Sequence, residues 1–238
     1  MNAPMRAIVL LLALPLAAFA KEMQLDTAPI DPRDAVSIQR GARVFVNYCL
    51  NCHGAEAMRY RQLEDLGLTE QQIHDDLIFP AAKIGDPMAV AMRKSDAKIW
   101  FGVPPPDLSV VARSRGADWL YTYLRGFYRD DKTATGWNNL AFPSVAMPHA
   151  LWELQGEQTL KVEKQGDEEV KSLTLRSPGK LTPLEYDKLV ADLVNYLEYM
   201  GEPVRQTRIR IGYAILIFLG VLFIPVYLLK REYWKDVH

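Results

Sequence analysis

The sequence predicts a mainly α protein with a small β-hairpin insertion and a single C-terminal transmembrane helix. Residues 183–201 carry apolar side chains at helical spacing behind a capping box. A run of 19 uncharged residues, 211–229, lies near the end of the chain. Hydrophobic residues make up 49% of the 238 residues and charged residues 24%, values typical of a folded protein, which excludes a disordered chain.

The N-terminal residues have the features of a secretory signal. Arg6 is followed by an apolar run from Ala7 to Ala18, and Ala18-Phe19-Ala20 matches the small-residue pattern at which signal peptides are cut. The alternative is an N-terminal membrane helix, but a run of about 12 residues is too short when about 20 are needed to span a bilayer. We therefore expect residues 1–20 to be a cleaved signal peptide and residues 21–204 to be exported.

Charge is distributed unevenly along the chain. Its 28 basic and 29 acidic side chains give a formal net charge of −1, a balance that argues against a nucleic-acid-binding protein. Residues 21–204 carry 21 basic and 27 acidic side chains, whereas residues 205–238 carry 6 basic and 2 acidic ones. The near-neutral total therefore combines an acidic exported segment with a basic C-terminal region.

The strongest chemical motif is Cys49-Leu50-Asn51-Cys52-His53. The C-x-x-C-H pattern is the attachment signature of c-type haem, because two thiols at this spacing reach the two vinyl groups of one porphyrin and the histidine ligates the iron. A zinc site would need two further ligands, and the chain has no other cysteine. A thioredoxin-like redox pair and a structural disulfide are the other interpretations, and export favours haem. We predict one covalently bound haem c.

A haem bound through His53 needs a second axial ligand, and methionine raises the potential of such a haem, which suits electron transfer. Met147 lies in the loop Ala146-Met147-Pro148-His149, where a rigid backbone can present its side chain across the haem. The other methionines fit core packing or the proximal side better. We predict that Met147 binds the iron, and His149 is the alternative ligand.

Two helices are expected to pack together over this haem, which is a cytochrome c-like arrangement. Asp31 and Pro32 are typical of a helix start, and the first helix then leads into the haem motif. Thr182-Pro183-Leu184-Glu185 is a capping box that begins the last helix of the exported segment. Gly201 and Pro203 end that helix.

A surface hairpin is predicted between these helices. Apolar and polar residues alternate on both sides of Gln165-Gly166-Asp167, with Leu160 and Val162 before the turn and Leu173 and Leu175 after it.

The stretch Pro104-Pro105-Pro106-Asp107-Leu108-Ser109 precedes Arg113 and Arg115. In one interpretation a proline-stiffened loop enters a helix capped by Asp107, and the arginines lie in solvent. In the other, the loop packs on the haem and an arginine binds a buried propionate by a charge-assisted hydrogen bond. The residue pattern leaves both open.

The uncharged run near the C-terminus is long enough to cross a bilayer as a helix, and a buried core helix is the alternative. Aromatic residues stand near its ends, as in interfacial belts: Tyr213, Tyr227, Tyr233 and Trp234. Three basic residues precede the run and three follow it, so the signal peptide rather than the positive-inside rule sets the orientation. We predict an anchor helix over 205–230 and a cytoplasmic tail over 231–238.

Taken together, these features resemble the cytochrome c1 family, from about Pro32 to the C-terminus. The resemblance rests on Gly41-Ala42-Arg43-Val44-Phe45 before the C-x-x-C-H motif, Pro105-Pro106-Asp107-Leu108-Ser109 with Arg113 and Arg115, Ala146-Met147-Pro148, and the single C-terminal span. It implies that Cys49 and Cys52 hold the haem covalently and that His53 and Met147 bind its iron. It further implies that Arg115 binds a propionate and that Phe45 and Pro106 lie at the haem.

The resemblance also implies a function. Such a chain is the haem subunit of the cytochrome bc1 complex, the ubiquinol–cytochrome c oxidoreductase, and relays an electron from the Rieske iron–sulfur protein to a cytochrome c. The complex is the enzyme and this subunit is a relay. We expect cytochrome b and membrane lipid as neighbours, a dimeric complex, and a haem domain on the periplasmic side of a bacterial inner membrane. The alternative is another anchored c-type cytochrome that donates to a terminal oxidase or reductase.

Overall fold

The computed structural model describes residues 24–78, 83–90, 92–166 and 168–235, so the predicted signal peptide 1–20 lies outside them. About half of these residues are helical, and the strands form small two-stranded sheets. The fold is therefore helical with small antiparallel sheets, and a long apolar helix closes the described chain.

The first helix, α1 (Ala35–Val44), begins later than Asp31 and Pro32 predict. Asp34 is the N-cap, and its carboxylate accepts a hydrogen bond from the Ser37 backbone N–H at 3.0 Å. The Asp31 carboxylate instead accepts from the backbone N–H of Arg33 two residues on, an Asx-type turn that competes with helix. The expected start at Asp31 is therefore wrong by about one turn.

The last helix of the segment predicted to be exported, α7 (Pro183–Gly201), has the predicted boundaries. Thr182 Oγ1 accepts from the Glu185 N–H, and the Glu185 carboxylate accepts from the Thr182 N–H, which confirms the capping box. The apolar face of α7 is buried in the core and includes Tyr186, Val190, Leu193, Tyr196, Leu197 and Met200.

Helices α1 and α7 pack together as predicted, and their backbones approach closely at Gly41. A Cβ on Gly41 would overlap the backbone carbonyl of Asp192 and lie 2.7 Å from the Tyr196 Cβ. Next to this crossing, Asp192 accepts hydrogen bonds from Ser37 Oγ and Arg40 Nε, each at 2.6 Å. The first helix is therefore fixed to the last one immediately before the haem motif.

The middle of the chain consists of short elements. The helices are a 3-10 helix (Tyr60–Leu66), α2 (Glu70–Leu77), α3 (Lys94–Phe101), α4 (Val111–Arg115), α5 (Ala117–Arg125) and α6 (Trp152–Gln155). The strands β1 (Ala55–Arg59) and β2 (Pro87–Met88) pair antiparallel, as do β3 (Phe127–Arg129) and β4 (Trp137–Asn139). No residue pattern in the sequence predicted these two small sheets.

The hairpin is formed by β5 (Gly156–Gln165) and β6 (Glu168–Pro178), which pair antiparallel. Gly166 has a φ of 67° in the connecting turn, a backbone conformation that favours glycine. Leu160 faces Leu173 across the pair. Strand β5 is buried at its first residue, Gly156, and exposed over its last five residues. The tip of the hairpin therefore projects from the surface.

Helix α8 (Arg205–Tyr233) covers the predicted anchor and extends three residues beyond 230. It is long and apolar enough to cross a membrane, and none of its most apolar window is buried within the chain. Its first turns are linked to α7 by ion pairs from Arg205 to Glu198 and from Arg208 to Glu202. A long apolar helix with no protein cover is consistent with a single-pass membrane anchor.

Candidate haem site

The haem motif forms one tight helical turn. A π-helical turn, Phe45–Cys49, continues α1, and the Cys52 and His53 N–H groups both donate to the Cys49 carbonyl, at 3.0 and 2.8 Å. Short π-helical turns inside helices are frequent at functional sites. This turn brings both cysteines and the histidine to the end of α1.

The proline-rich stretch is tied to the residues just after the motif. The Leu108 N–H donates to the Gly54 carbonyl and the Glu56 N–H to Asp107 Oδ2, both at 2.8 Å, and the Ala57 N–H donates to Ser109 Oγ at 3.0 Å. Asp107 Oδ1 accepts from the Ser109 N–H at 2.8 Å. Asp107 therefore does not cap α4, as one interpretation expected, because Oδ2 accepts from Glu56 in β1 and Oδ1 accepts from Ser109 in its own loop.

This attachment sets the orientation of His53. Its Nδ1 lies 2.8 Å from the Pro106 carbonyl oxygen, and since a carbonyl only accepts, Nδ1 carries the proton. The Nε2 lone pair is then the one available to a metal. His53 is 8% exposed, and this burial lowers its pKa, which favours the neutral imidazole that a metal binds. Pro106 therefore acts on His53 through its backbone carbonyl.

Two adjoining cavities, of about 210 and 240 Å³, meet at His53. Cys52 lines the first and Cys49 the second, and we name the cavities after these residues. The residues that line both are His53, Pro106, Phe142 and Met147. The remaining lining is largely apolar, with Phe101, Val103 and Pro104 in the Cys52 cavity and Leu120, Leu193 and Leu197 in the Cys49 cavity.

Two asparagines shape the loop that carries Met147. Asn139 is fully buried, and its Oδ1 accepts from the Ala141 and Phe142 N–H groups at 2.8 and 3.2 Å. Asn138 Oδ1 accepts from the Ser144 N–H at 2.8 Å, where Ser144 has a φ of 61°. These side chains replace regular backbone pairing and fix the irregular loop.

Met147 itself is anchored from two sides. It packs against the buried Phe127, Trp137 and Val145. Its sulfur accepts a hydrogen bond from the Tyr123 hydroxyl at 3.3 Å. Burial raises the pKa of Tyr123, so its hydroxyl stays protonated and acts as the donor. Tyr123 was not among the residues predicted from the sequence to lie at the site, although its four-residue spacing from Trp119 on a helix is a detectable pattern.

The other candidate ligands lie elsewhere. His149 is 2% exposed, stacks on Phe127 at 4.7 Å and lines neither cavity. Met58, Met88 and Met200 are buried in the main core and line neither cavity. Within the described part of the chain, Met147 is thus the one methionine that lines both cavities together with His53.

Arg115 and Phe45 have different surroundings. Arg115 lines the Cys49 cavity, and its guanidinium lies 4.9 Å from the centre of the Trp119 ring. No carboxylate of the described residues pairs with it, which leaves it available to an anionic group. Phe45 is fully buried against Tyr196, with ring centres 5.4 Å apart, and lines neither cavity.

The residues present fit a covalently held haem. One cysteine lines each cavity, an oriented imidazole and a thioether line both, and the walls are apolar. Burial raises the pKa of the Cys49 thiol to about 12 and also raises that of Cys52, so both cysteines are neutral thiols at neutral pH. No group of three or more candidate metal ligands occurs among residues that the structure describes.

The Asp107 contacts predict that Asp107→Asn lowers the stability of the haem domain by about 1–3 kcal/mol, because the new NH₂ group faces a backbone N–H that it cannot accept from. The expected result is a lower melting temperature of the purified, haem-loaded full chain, followed by circular dichroism. Glu56→Gln is the control. It removes the same charge from a neighbouring residue, but it leaves the hydrogen bond to Asp107 intact because that bond comes from the Glu56 backbone N–H. Equal losses in the two variants would contradict this role.

The same contacts set a pH dependence. Burial raises the pKa of Asp107, but hydrogen bonds from Ser109 and Glu56 outweigh it, so the pKa in the folded state lies below the ordinary aspartate value. The contribution of Asp107 is therefore complete above that ordinary value and is lost as the pH falls through the folded-state pKa.

Comparison with known sequences gives the family. The sequence model of the Cytochrome C1 family matches residues 27–161 and 180–237. The unmatched interval, residues 162–179, covers most of the β5–β6 hairpin.

Three relatives extend this result. The chain is 53% identical to a protein of Nitrosomonas europaea named ammonia monooxygenase gamma subunit, over 96% of this chain and 97% of that one. It is 50% identical to cytochrome c1 of Allochromatium vinosum, over 90% of each chain. Cytochrome c1 of Rhodospirillum rubrum is 29% identical, over 86% of this chain and 83% of that one.

The family match covers far more than half of the chain, and it includes the haem motif, the Met147 loop and α8. The chain therefore belongs to the cytochrome c1 family, whose members carry one covalently bound haem c and are the electron-transfer subunit of the cytochrome bc1 complex.

Proposed function

We propose that this chain accepts an electron from the Rieske iron–sulfur protein and passes it to a cytochrome c during ubiquinol oxidation. The observation that carries the proposal is the pair of cavities lined in common by His53 and Met147, with one cysteine in each. A histidine–methionine pair suits electron transfer, because the thioether raises the potential of a histidine-ligated haem.

The residues of this chain have defined tasks in the relay. Cys49 and Cys52 would hold the haem, His53 and Met147 would bind its iron, and Arg115 would pair with a propionate. The bound haem supplies a one-electron iron couple. The Pro106 carbonyl keeps the His53 ring in one tautomer and orientation. The apolar walls, which include Phe142 and Pro106, lower the polarity around the haem, and this limits reorganisation during electron transfer.

A partner surface lies beside the Cys52 cavity. Phe101 and Val103 line that cavity, while Ile99 and Trp100 in the same segment are 79% and 61% exposed. Exposed apolar groups that cluster at a site mark protein contacts. Residues 21–204 as a whole are acidic, with 27 acidic and 21 basic side chains, and such a net charge would steer a basic electron carrier at low salt. A simple gain in solubility is the other explanation for the acidic residues.

The proposed topology follows from the two ends of the chain. Removal of the signal 1–20 leaves the haem domain, 21–204, on the periplasmic side of a bacterial inner membrane. Helix α8 supplies the anchor predicted over 205–230, and residues 231–238 form a cytoplasmic tail. In this arrangement α8 lies against cytochrome b and lipid within a dimeric bc1 complex, and ubiquinol oxidation is catalysed by the complex.

Copurification tests this proposal. We expect an affinity tag on the C-terminus to recover, from detergent-solubilised membranes, a di-haem cytochrome b and a Rieske protein in equal amounts with this chain. The preparation should reduce cytochrome c with ubiquinol as donor. Recovery of the haem-loaded chain without either subunit would contradict the proposal.

A second candidate is a haem subunit that donates electrons to another membrane enzyme, either a terminal oxidase or reductase or a monooxygenase. The name of the Nitrosomonas europaea relative, ammonia monooxygenase gamma subunit, is the observation that favours a monooxygenase. This second candidate predicts a different result from the same experiment, because monooxygenase or oxidase subunits would copurify in place of cytochrome b. We place it second because the cytochrome c1 relatives and the family match point to the bc1 complex.

A further inference from the structure

Two tyrosine hydroxyls in the described chain donate hydrogen bonds to methionine sulfurs. Tyr123 donates to Met147 at 3.3 Å, and Tyr196 donates to Met88 at 3.2 Å. Tyr123 and Met147 both line the Cys49 cavity, whereas Tyr196 and Met88 are fully buried in the main core and line neither cavity. Among the described residues, the same contact therefore occurs once at the haem site and once away from it.

The Tyr123 ring is held firmly in place. It stacks on Trp119 with ring centres 4.8 Å apart and an angle of 11°, and it meets Phe127 edge-on at 5.1 Å. Its backbone carbonyl accepts from Asn139 Nδ2 at 2.8 Å, which joins α5 to the loop that carries Met147. The hydroxyl is thus directed at the sulfur by the ring contacts with Trp119 and Phe127 and by the backbone.

A hydrogen bond to this sulfur has a chemical consequence. A thioether is a weak acceptor, and a phenol O–H that binds one of its lone pairs draws electron density from it. A sulfur that donates less density to a bound metal stabilises the reduced, less positive ion relative to the oxidised one. The same bond also restricts rotation about the Met147 side chain, which is otherwise flexible.

We propose that Tyr123 is a positioning residue that orients the Met147 sulfur and raises the reduction potential of the bound haem. The inference rests on the part of the proposed function that makes Met147 an iron ligand. It does not depend on which proteins the chain exchanges electrons with.

The test is Tyr123→Phe in the full-length, haem-loaded chain purified in detergent. The variant keeps the ring and its stacking and removes only the hydroxyl. We expect the equilibrium with a one-electron redox mediator to shift about twofold to tenfold toward oxidised haem, the range that corresponds to one neutral hydrogen bond. A tenfold shift equals about 59 mV for a one-electron couple. The methionine–iron absorption band should persist.

Tyr196→Phe is the matched control, because it removes the same kind of bond from Met88, which lines neither cavity. Its potential should equal that of the wild type. An unchanged potential in Tyr123→Phe, or an equal shift in both variants, would overturn the inference. A failure of the proposed function itself gives a different result. If Met147 does not bind the iron, the wild-type chain lacks the methionine–iron band altogether.

Discussion

Replacing Met147 with leucine is expected to lower the reduction potential of the haem by on the order of 100 mV, because the axial ligands set haem potentials over a range of about 0.8 V. Leucine keeps the apolar bulk that packs on Phe127, Trp137 and Val145 but has no donor atom. The methionine–iron absorption band should disappear, while the covalently held haem remains. Redox titration and a visible spectrum of the purified chain measure both effects.

Met88→Leu is the matched control for this prediction. Met88 is also a methionine whose sulfur accepts from a tyrosine hydroxyl, but it is fully buried and lines neither cavity. Its substitution should leave the band and the potential unchanged. If Met147→Leu retained the band, Met147 would not be the ligand.

Local sequence patterns predicted those parts of the site whose chemistry is local. The C-x-x-C-H spacing is confined to five residues, and Met147 stands out because its loop is proline-rich. The orientation of His53 depends instead on the Pro106 carbonyl, 53 positions away in the chain. Asp107 illustrates the limit, since a residue type typical of helix N-caps here accepts from the Glu56 and Ser109 N–H groups. The contact with Glu56, 51 positions away, cannot be read from the local pattern.

The fold divides in the same way. Helix α7 was predictable because its capping box and apolar face are both written in consecutive residues. The two small sheets were not, because strands of two to five residues carry too few side chains for an alternating pattern. The start of α1 was misplaced because Asp31 and Asp34 are both competent caps, and the Asx turn at Asp31 competes with the helix.

The crossing of α1 and α7 carries the last large expected effect. An unhindered Gly→Ala change in a helix stabilises a protein by up to about 1 kcal/mol. At Gly41 the sign should be reversed, because the new Cβ would overlap the Asp192 carbonyl and lie 2.7 Å from the Tyr196 Cβ. Backbone atoms yield little, so we expect Gly41→Ala to lose about 1–3 kcal/mol, the usual range for overpacking, and Gly41→Val to lose more.

The effect should extend to the haem, since α1 continues directly into the turn that carries Cys49. Pushing α1 away from α7 would also stretch the Ser37 and Arg40 hydrogen bonds to Asp192. We therefore expect membranes with Gly41→Val to contain less covalently bound haem per chain, measured by haem staining against an immunoblot, and Gly41→Ala to melt at a lower temperature. Gly85→Ala is the control, because a Cβ there meets no atom within 4 Å. A Gly41→Ala chain as stable as the Gly85→Ala chain would mean that the helices can separate at this crossing without loss, and that the approach of α1 to α7 does not hold the haem turn in place.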